Sequence, residues 1–201
     1  QKERAGESWS AADDAAVRHR ILERYGMTET NMNTSNPYEG ERRAGTVGFP
    51  LPGVEIKVTD PETGAELPPG EVGMIEVRGP NVFGGYWQMP EKTAAELREN
   101  GFFITGDLGS FSADGYLSIV GRAKDLIITG GYNVYPKEIE DVLNRVEGVR
   151  ESAVFGVPDD DFGEAIIAAL VPEDGSPTDD KNPASEVQQK LARFKHPRRY
   201  I

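Results

Sequence analysis

The stretch running from Phe102 to Asp125, FFITGDLGSFSADGYLSIVGRAKD, constrains this chain more than any other. Two runs carrying apolar residues flank Ser112-Ala113-Asp114-Gly115, where Gly115 can supply the positive φ of a tight turn, so the stretch predicts a β-hairpin. With pairing centred near Asp114, Asp107 falls roughly opposite Gly121 and beside Arg122. A carboxylate and a guanidinium then meet at the open end of the hairpin. A carboxylate so placed can accept from two vicinal hydroxyls, as on a ribose, and the guanidinium can orient a sugar or an anion. A solvated ion pair at a hairpin mouth meets the same description, and for an isolated Asp/Arg pair it is the commoner outcome. The neighbouring motifs decide between the two.

Residues 1–14 are polar and aperiodic, a frayed lead-in, and Asp14 is placed to cap a helix over 15–24 with Ala16, Val17 and Ile21 as its apolar stripe. Tyr25-Gly26-Met27-Thr28-Glu29 then stands where that helix gives way to a polar, Asn-rich loop reaching Gly45. Strands are predicted over 54–59, where Val54, Ile56 and Val58 alternate with Glu55 and Lys57, and over 72–78. The turn signals DPETG and PPG part them. Helices are predicted over 90–100 and 136–146, each opening on Pro, the second with Ile139, Val142, Leu143 and Val146 on one face. Strands over 126–129, 152–157 and 165–171, an acidic loop over 172–183 and a helix over 185–194 follow. The part after Lys124 thus reads as a compact β-α-β-β-α unit, and the part before it as a strand meander. A boundary within 121–125 is expected, separating residues 1–122 from residues 123–201.

Composition narrows the partners. Net charge is −12, with 22 Lys and Arg against 34 Asp and Glu, which argues against nucleic acid and against anionic membrane. Backbone N–H groups and a few local cations still suffice for a small anionic ligand. The chain has no Cys, so disulfides, thiolate metal sites and a cysteine nucleophile are excluded, and the cytosol is the expected compartment. No apolar run approaches the roughly 20 residues a membrane-spanning helix needs. Gln1 is not an initiator Met, and the chain reads as a piece of something longer.

The Tyr25 motif carries chemistry of its own. Gly26 lets backbone approach a ligand, Thr28 offers a hydroxyl to a phosphate oxygen, Glu29 is a hard oxygen ligand suited to Mg²⁺, and Tyr25 could stack on a base. A turn with a capping Thr and a solvated Glu fits these residues equally well when they are taken alone. Their company settles more: Tyr-Gly-x-Thr-Glu at 25–29, Thr-Gly-Asp at 105–107, Gly-Arg-x-Lys-Asp at 121–125 and Gly-Gly-Tyr-Asn-Val-Tyr-Pro-x-Glu-Ile-Glu at 130–140. In this order, with connecting text such as Val47-Gly-Phe-Pro-Leu-Pro-Gly53, the chain resembles the adenylate-forming acid–CoA ligases from about Arg20 onward. That superfamily also holds luciferases and peptide-synthetase adenylation domains. The run from Ile21 to Met32 and the Tyr132-Asn-Val-Tyr-Pro segment are most similar to malonate–CoA ligases.

The resemblance implies an α+β fold: the C-terminal part of a large α/β and β-barrel domain, followed by a small mobile α+β lid domain. It implies an enzyme joining a carboxylic acid, malonate above all, to coenzyme A, with ATP cleaved to AMP and Mg²⁺ as the metal ion. Tyr25 would stack on adenine, Gly26 and Met27 would line the acyl-adenylate, Thr28 would contact a phosphate and Glu29 would hold Mg²⁺. Asp107 would accept both ribose hydroxyls and Arg122 would sit beside the ribose. Lys124 would be the hinge, and Gly130 and Gly131 would border the tunnel for the pantetheine arm. The family's upstream phosphate loop and its Pro-x-x-x-x-Gly-Lys segment find no counterpart here, so the 201 residues alone are expected not to form acyl-CoA. A non-catalytic nucleotide-binding or interaction module, or a ligase for an aryl or fatty acid, is the alternative. His19 and His196 read as surface residues, Glu138, Glu140 and Asp141 as helix-face charge, and Phe83, Tyr86 and Trp87 as packing under a loop.

Overall fold

The Thr105-Gly106-Asp107 segment lies on the third strand of a four-stranded antiparallel sheet, in a computed structural model that describes residues 21–173 and 183–201. The chain divides into two units, one ending at Ile119 and one beginning at Val120. Among the described residues no helix is long and apolar enough to cross a membrane.

The first unit opens with β1 (Arg24–Met27), β2 (Asn31–Ser35) and β3 (Phe49–Pro50), in that order across one small sheet. The motif at 25–29 is therefore on a β-hairpin, not at a helix end, and the loop expected to run to Gly45 contains β2. Burial explains why: Tyr25 is inside while Arg24 and Gly26 on either side are exposed, a period of two that no helix face produces. The earlier part of the expected helix, with Asp14 and His19, lies outside the described residues. The second strand escaped the sequence reading because its inward residues are polar. Asn33 and Thr34 are fully buried. Just beyond it, buried Asn36 fixes the loop by donating to the Thr46 carbonyl at 2.7 Å and accepting from Arg43 N–H at 3.1 Å.

The larger sheet runs β4 (Glu55–Thr59), β5 (Gly73–Arg78), β6 (Phe103–Phe111) and β7 (Leu117–Arg122), each neighbour in turn. Val58, Ile75, Val77 and Leu117 make its core together with Tyr25 from β1. Glu76 is buried beside them, where burial works to raise its pKa. Arg98 (2.8 and 3.0 Å), Thr59 (2.9 Å) and Lys57 (3.1 Å) outweigh that and hold it below the ordinary value. Helix α1 (Pro90–Glu96) ends sooner than the expected residue 100, because Leu97 turns extended and bridges to Phe103.

The second unit has β8 (Ile127–Thr129), β9 (Tyr132–Val134), β10 (Val149–Asp159) and β11 (Gly163–Pro172) in the order β10-β11-β8-β9, with β12 (Arg199–Tyr200) parallel to β11. Helices α2 (Pro136–Leu143) and α3 (Pro183–Lys190) join its core, where Ile127, Val134, Ile139, Leu143 and Val187 are almost wholly buried. The β-α-β-β-α expectation omitted β9 and β12. Thr129 pairs with Tyr132 across Gly130-Gly131, whose φ values of +56° and +80° make a two-residue hairpin turn. Helix α2 stops at Leu143 rather than 146, and α3 at Lys190, with a separate 3₁₀ turn at Arg193–Lys195 carrying the rest of the expected helix. Residues 174–182 of the acidic loop lie outside the described residues.

Glu140 of α2 has a structural task. Its carboxylate accepts from Val154 N–H at 2.8 Å, tying the helix to β10, and burial raises its pKa. A carboxyl with a raised pKa binds its proton more tightly folded than unfolded. Its contribution to stability is therefore present below the unfolded carboxylate pKa and is lost as pH rises through the folded value. Glu140→Gln keeps the acceptor without the charge, and should match or exceed the unsubstituted chain in urea midpoint at pH 7. Glu140→Ala orphans the Val154 N–H and should cost about 1–3 kcal/mol. A Gln variant as unstable as the Ala variant would contradict this.

Candidate functional site

Asp107 owes its orientation to a β-bulge. On β5 and β6, Glu76 pairs with Ile104 but Met74 pairs with Leu108, so β6 carries two extra residues across that interval. Gly106 takes φ +75° there, a left-handed conformation that favours glycine. The Thr105 hydroxyl closes the bulge, donating to the Ile75 carbonyl at 2.8 Å and accepting from Asp107 N–H at 3.0 Å. A regular hairpin, as the sequence predicted, has no such detour. Bulges of this kind re-aim a side chain. Here the Asp107 carboxylate is brought to the Tyr25 hydroxyl, which donates to Oδ2 at 2.6 Å. Each of the two motifs thus supplies one partner of a buried hydrogen bond.

Tyr25 itself packs in the core of the first unit and is only 9% exposed, so most of its ring already faces protein. Next to it, Gly26 is required by its own hairpin. A Cβ there would lie 2.1 Å from the Asn31 carbonyl oxygen. The β1–β2 register also shifts between Tyr25 and Gly26, which lets the two strands approach this closely. Met27 ends β1, and Thr28 and Glu29 occupy the turn, which Thr30 N–H closes onto the Met27 carbonyl at 3.2 Å.

Glu29 is gripped from a loop that sequence reading had taken for packing alone. The Glu29 carbonyl accepts from Phe83 N–H at 2.8 Å, and its carboxylate accepts from the Tyr86 hydroxyl at 3.1 Å. The same hydroxyl lies 2.6 Å from Glu96 Oε2. Burial, then the two carboxylates, push the Tyr86 pKa well up, so it stays a donor. Phe83 does pack, edge-on to Tyr86 and Phe103, whereas Trp87 is 86% exposed and so is not packed under the loop. The signal available in the sequence was the closeness of three aromatics to a Gly-Gly pair, which points to a fitted loop without naming its partner.

The remaining candidates fall in the second unit. Arg122 ends β7 and is exposed, and Lys124 is exposed within a single 3₁₀ turn, Ala123–Asp125. Gly130 borders an open cleft of about 690 Å³, shared with Thr129, Tyr132, Phe194, Arg193 and Arg198. The Tyr132 and Phe194 rings stack there at 4.7 Å. Gly131 has open space where its Cβ would be. His196 is partly buried rather than fully on the surface, with Nε2 2.9 Å from the Leu191 carbonyl oxygen. Glu138 pairs with Lys195 at 2.6 Å.

Comparison with known proteins adds independent findings. Residues 5–87 match the pattern of AMP-binding enzymes, and residues 138–201 that of the AMP-binding enzyme C-terminal domain. A probable CoA ligase of Humulus lupulus is 45% identical over 193 residues, covering 90% of this chain and 32% of the relative. The malonate–CoA ligase of Arabidopsis thaliana is 42% identical over 194 residues, covering 91% of this chain and 31% of the relative. The crystal structure of ATP-bound MatB from Rhodopseudomonas palustris superposes with a TM-score of 0.89 at 59% identity, over 94% of this chain and 38% of that one. The chain therefore spans about a third of the length of the curated relatives it matches.

Proposed function

We propose, because the chain belongs to the AMP-binding enzyme family, that it carries the ribose, metal-ion and thiol-arm elements of an acid–CoA ligase. The reaction joins a carboxylic acid to coenzyme A through an acyl-adenylate made from ATP. Malonate is the acid we favour, from the likeness to the Arabidopsis malonate–CoA ligase. The observation that carries the reading is the Asp107 carboxylate, set on the bulged stretch of its strand, largely buried and held by Tyr25. An ionised carboxylate accepts about four hydrogen bonds, so Asp107 can hold the Tyr25 hydroxyl and two ribose hydroxyls together.

From there the other residues take their parts. Tyr25, Gly26 and Met27 line the nucleotide along β1, with what ring surface Tyr25 exposes set against adenine. Thr28 donates to a phosphate oxygen, and Arg122 sits beside the ribose. Glu29 holds Mg²⁺, and a single carboxylate suits this ion, which keeps several waters and takes further ligands from substrate phosphates. The ion, when bound, would neutralise charge developing on the phosphate oxygens as the acid's carboxylate attacks the α-phosphorus and pyrophosphate leaves. Thiol attack on the acyl-adenylate needs a different wall around the same carbonyl. Lys124 is the hinge about which residues 123–201 change pose between the two steps. Gly130 and Gly131 leave room for the pantetheine arm. The stacked Tyr132 and Phe194, with Arg193 and Arg198, suit the phosphorylated adenosine at its far end.

A graft tests this. The segment of the Arabidopsis malonate–CoA ligase aligned with residues 21–201 is replaced by those residues, and AMP release is followed with malonate, ATP, Mg²⁺ and CoA. Activity within about tenfold of the unaltered ligase is expected. A folded graft that binds malonate but releases no AMP would overturn the reading.

A further inference from the structure

We propose that Tyr86 is a positioning residue for Glu29, its phenol holding the carboxylate that would meet the divalent cation of the nucleotide. The inference rests on the reading of Glu29 as the metal ligand and goes beyond it to a residue on another loop.

The geometry has three parts. The Tyr86 hydroxyl has one hydrogen and two carboxylate neighbours, Glu96 Oε2 at 2.6 Å and Glu29 Oε1 at 3.1 Å. Its loop is anchored independently of Glu29: Tyr86 N–H donates to Thr93 Oγ1 at 2.9 Å, and that hydroxyl donates to the Met89 carbonyl at 3.0 Å. Gly85, at φ +127°, lets the loop pass so close that a Cβ there would stand 2.7 Å from Thr93 Cγ2. Finally, Phe83 N–H holds the Glu29 main chain from the same loop, at 2.8 Å. Backbone and side chain of one residue are thus fixed from one strap, whose other end is pinned to α1.

The consequence is electrostatic as well as geometric. Two carboxylates sharing one phenol hydrogen leave a net negative spot, and Lys92, 4.0 Å from Glu96 Oε1, offsets Glu96 and not Glu29 directly. A cation arriving at Glu29 meets a carboxylate whose rotamer is already set, so little ordering remains to be done on binding. Groups that orient a metal ligand in this way are worth about 10–100-fold in metal affinity.

The test is Mn²⁺ binding to the whole chain in the presence of ATP, followed by electron paramagnetic resonance, for the unsubstituted protein and for Tyr86→Phe, Glu96→Gln and Glu29→Gln. Phenylalanine keeps the ring against Phe83 and removes only the hydroxyl. Tyr86→Phe should weaken Mn²⁺ binding about tenfold, with the affinity for metal-free ATP unchanged; it also loses the hydrogen bond to Glu96, so some fall in Tm is expected whatever its effect on the metal. Glu96→Gln should give a smaller loss. Unaltered Mn²⁺ affinity in Tyr86→Phe, with a clear loss in Glu29→Gln, would overturn the proposal while sparing the metal-ligand reading. So would an equal loss of metal-free ATP affinity in Tyr86→Phe, which would mark a structural role. Unaltered affinity in Glu29→Gln, or no Mn²⁺·ATP binding by the unsubstituted chain, would overturn that reading and the proposal with it.

Discussion

Asp107→Ala should weaken ATP binding by about 2–4 kcal/mol, roughly 30- to 1000-fold, since two charge-assisted hydrogen bonds of about 1.5–3 kcal/mol each are lost and water replaces part of them. Isothermal titration of the folded variant measures it. The same substitution also removes the carboxylate acceptor of the buried Tyr25 hydroxyl, 2.6 Å away, and leaves the weaker Met27 sulfur at 3.9 Å, so stability should fall too. An orphaned buried donor costs about 1–3 kcal/mol, whereas removing both partners is close to neutral. The Tyr25→Phe, Asp107→Ala double variant should therefore recover most of the lost stability and none of the lost affinity. Recovery of both would mean that Asp107 acts only by holding the fold together.

The second large effect concerns Gly26. Replacement by Ala should destabilise the first unit by about 3 kcal/mol or more, because the new methyl would lie 2.1 Å from the Asn31 carbonyl oxygen and backbone must move. A fall in urea midpoint without bound nucleotide is the expected result. A variant within about 0.5 kcal/mol of the original, yet defective in ATP binding, would instead make Gly26 a residue kept open for the ligand. The sequence reading supposed that second role. The structure supplies a reason for the glycine that needs no ligand.

What the sequence made legible follows from which signals are local. The alternation of Val54, Ile56 and Val58, the turn glycine at 115 and the Pro-led helix carrying Ile139, Val142 and Leu143 are short-range patterns, and the structure has the elements they predict. Motif order identified the family, which two matched segments and a TM-score of 0.89 establish independently. What stayed hidden is non-local or polar. The second strand buries Asn33 and Thr34, so no hydrophobic alternation announces it. The bulge at Gly106 is visible only in the register of two strands separated by some thirty residues of chain, as with Thr105 and Ile75. Tyr86 meets Glu29 across 57 positions, through a loop that periodicity cannot place.

Whether the bulged Asp107 carboxylate anchors a ribose is read from AMP and its 2′,3′-dideoxy analogue, compared by isothermal titration against the unsubstituted chain. Removing both hydroxyls should weaken binding at least about 30-fold, and Asp107→Ala should abolish the difference between the two ligands. Equal affinity for AMP and the dideoxy compound in the unsubstituted chain would contradict it.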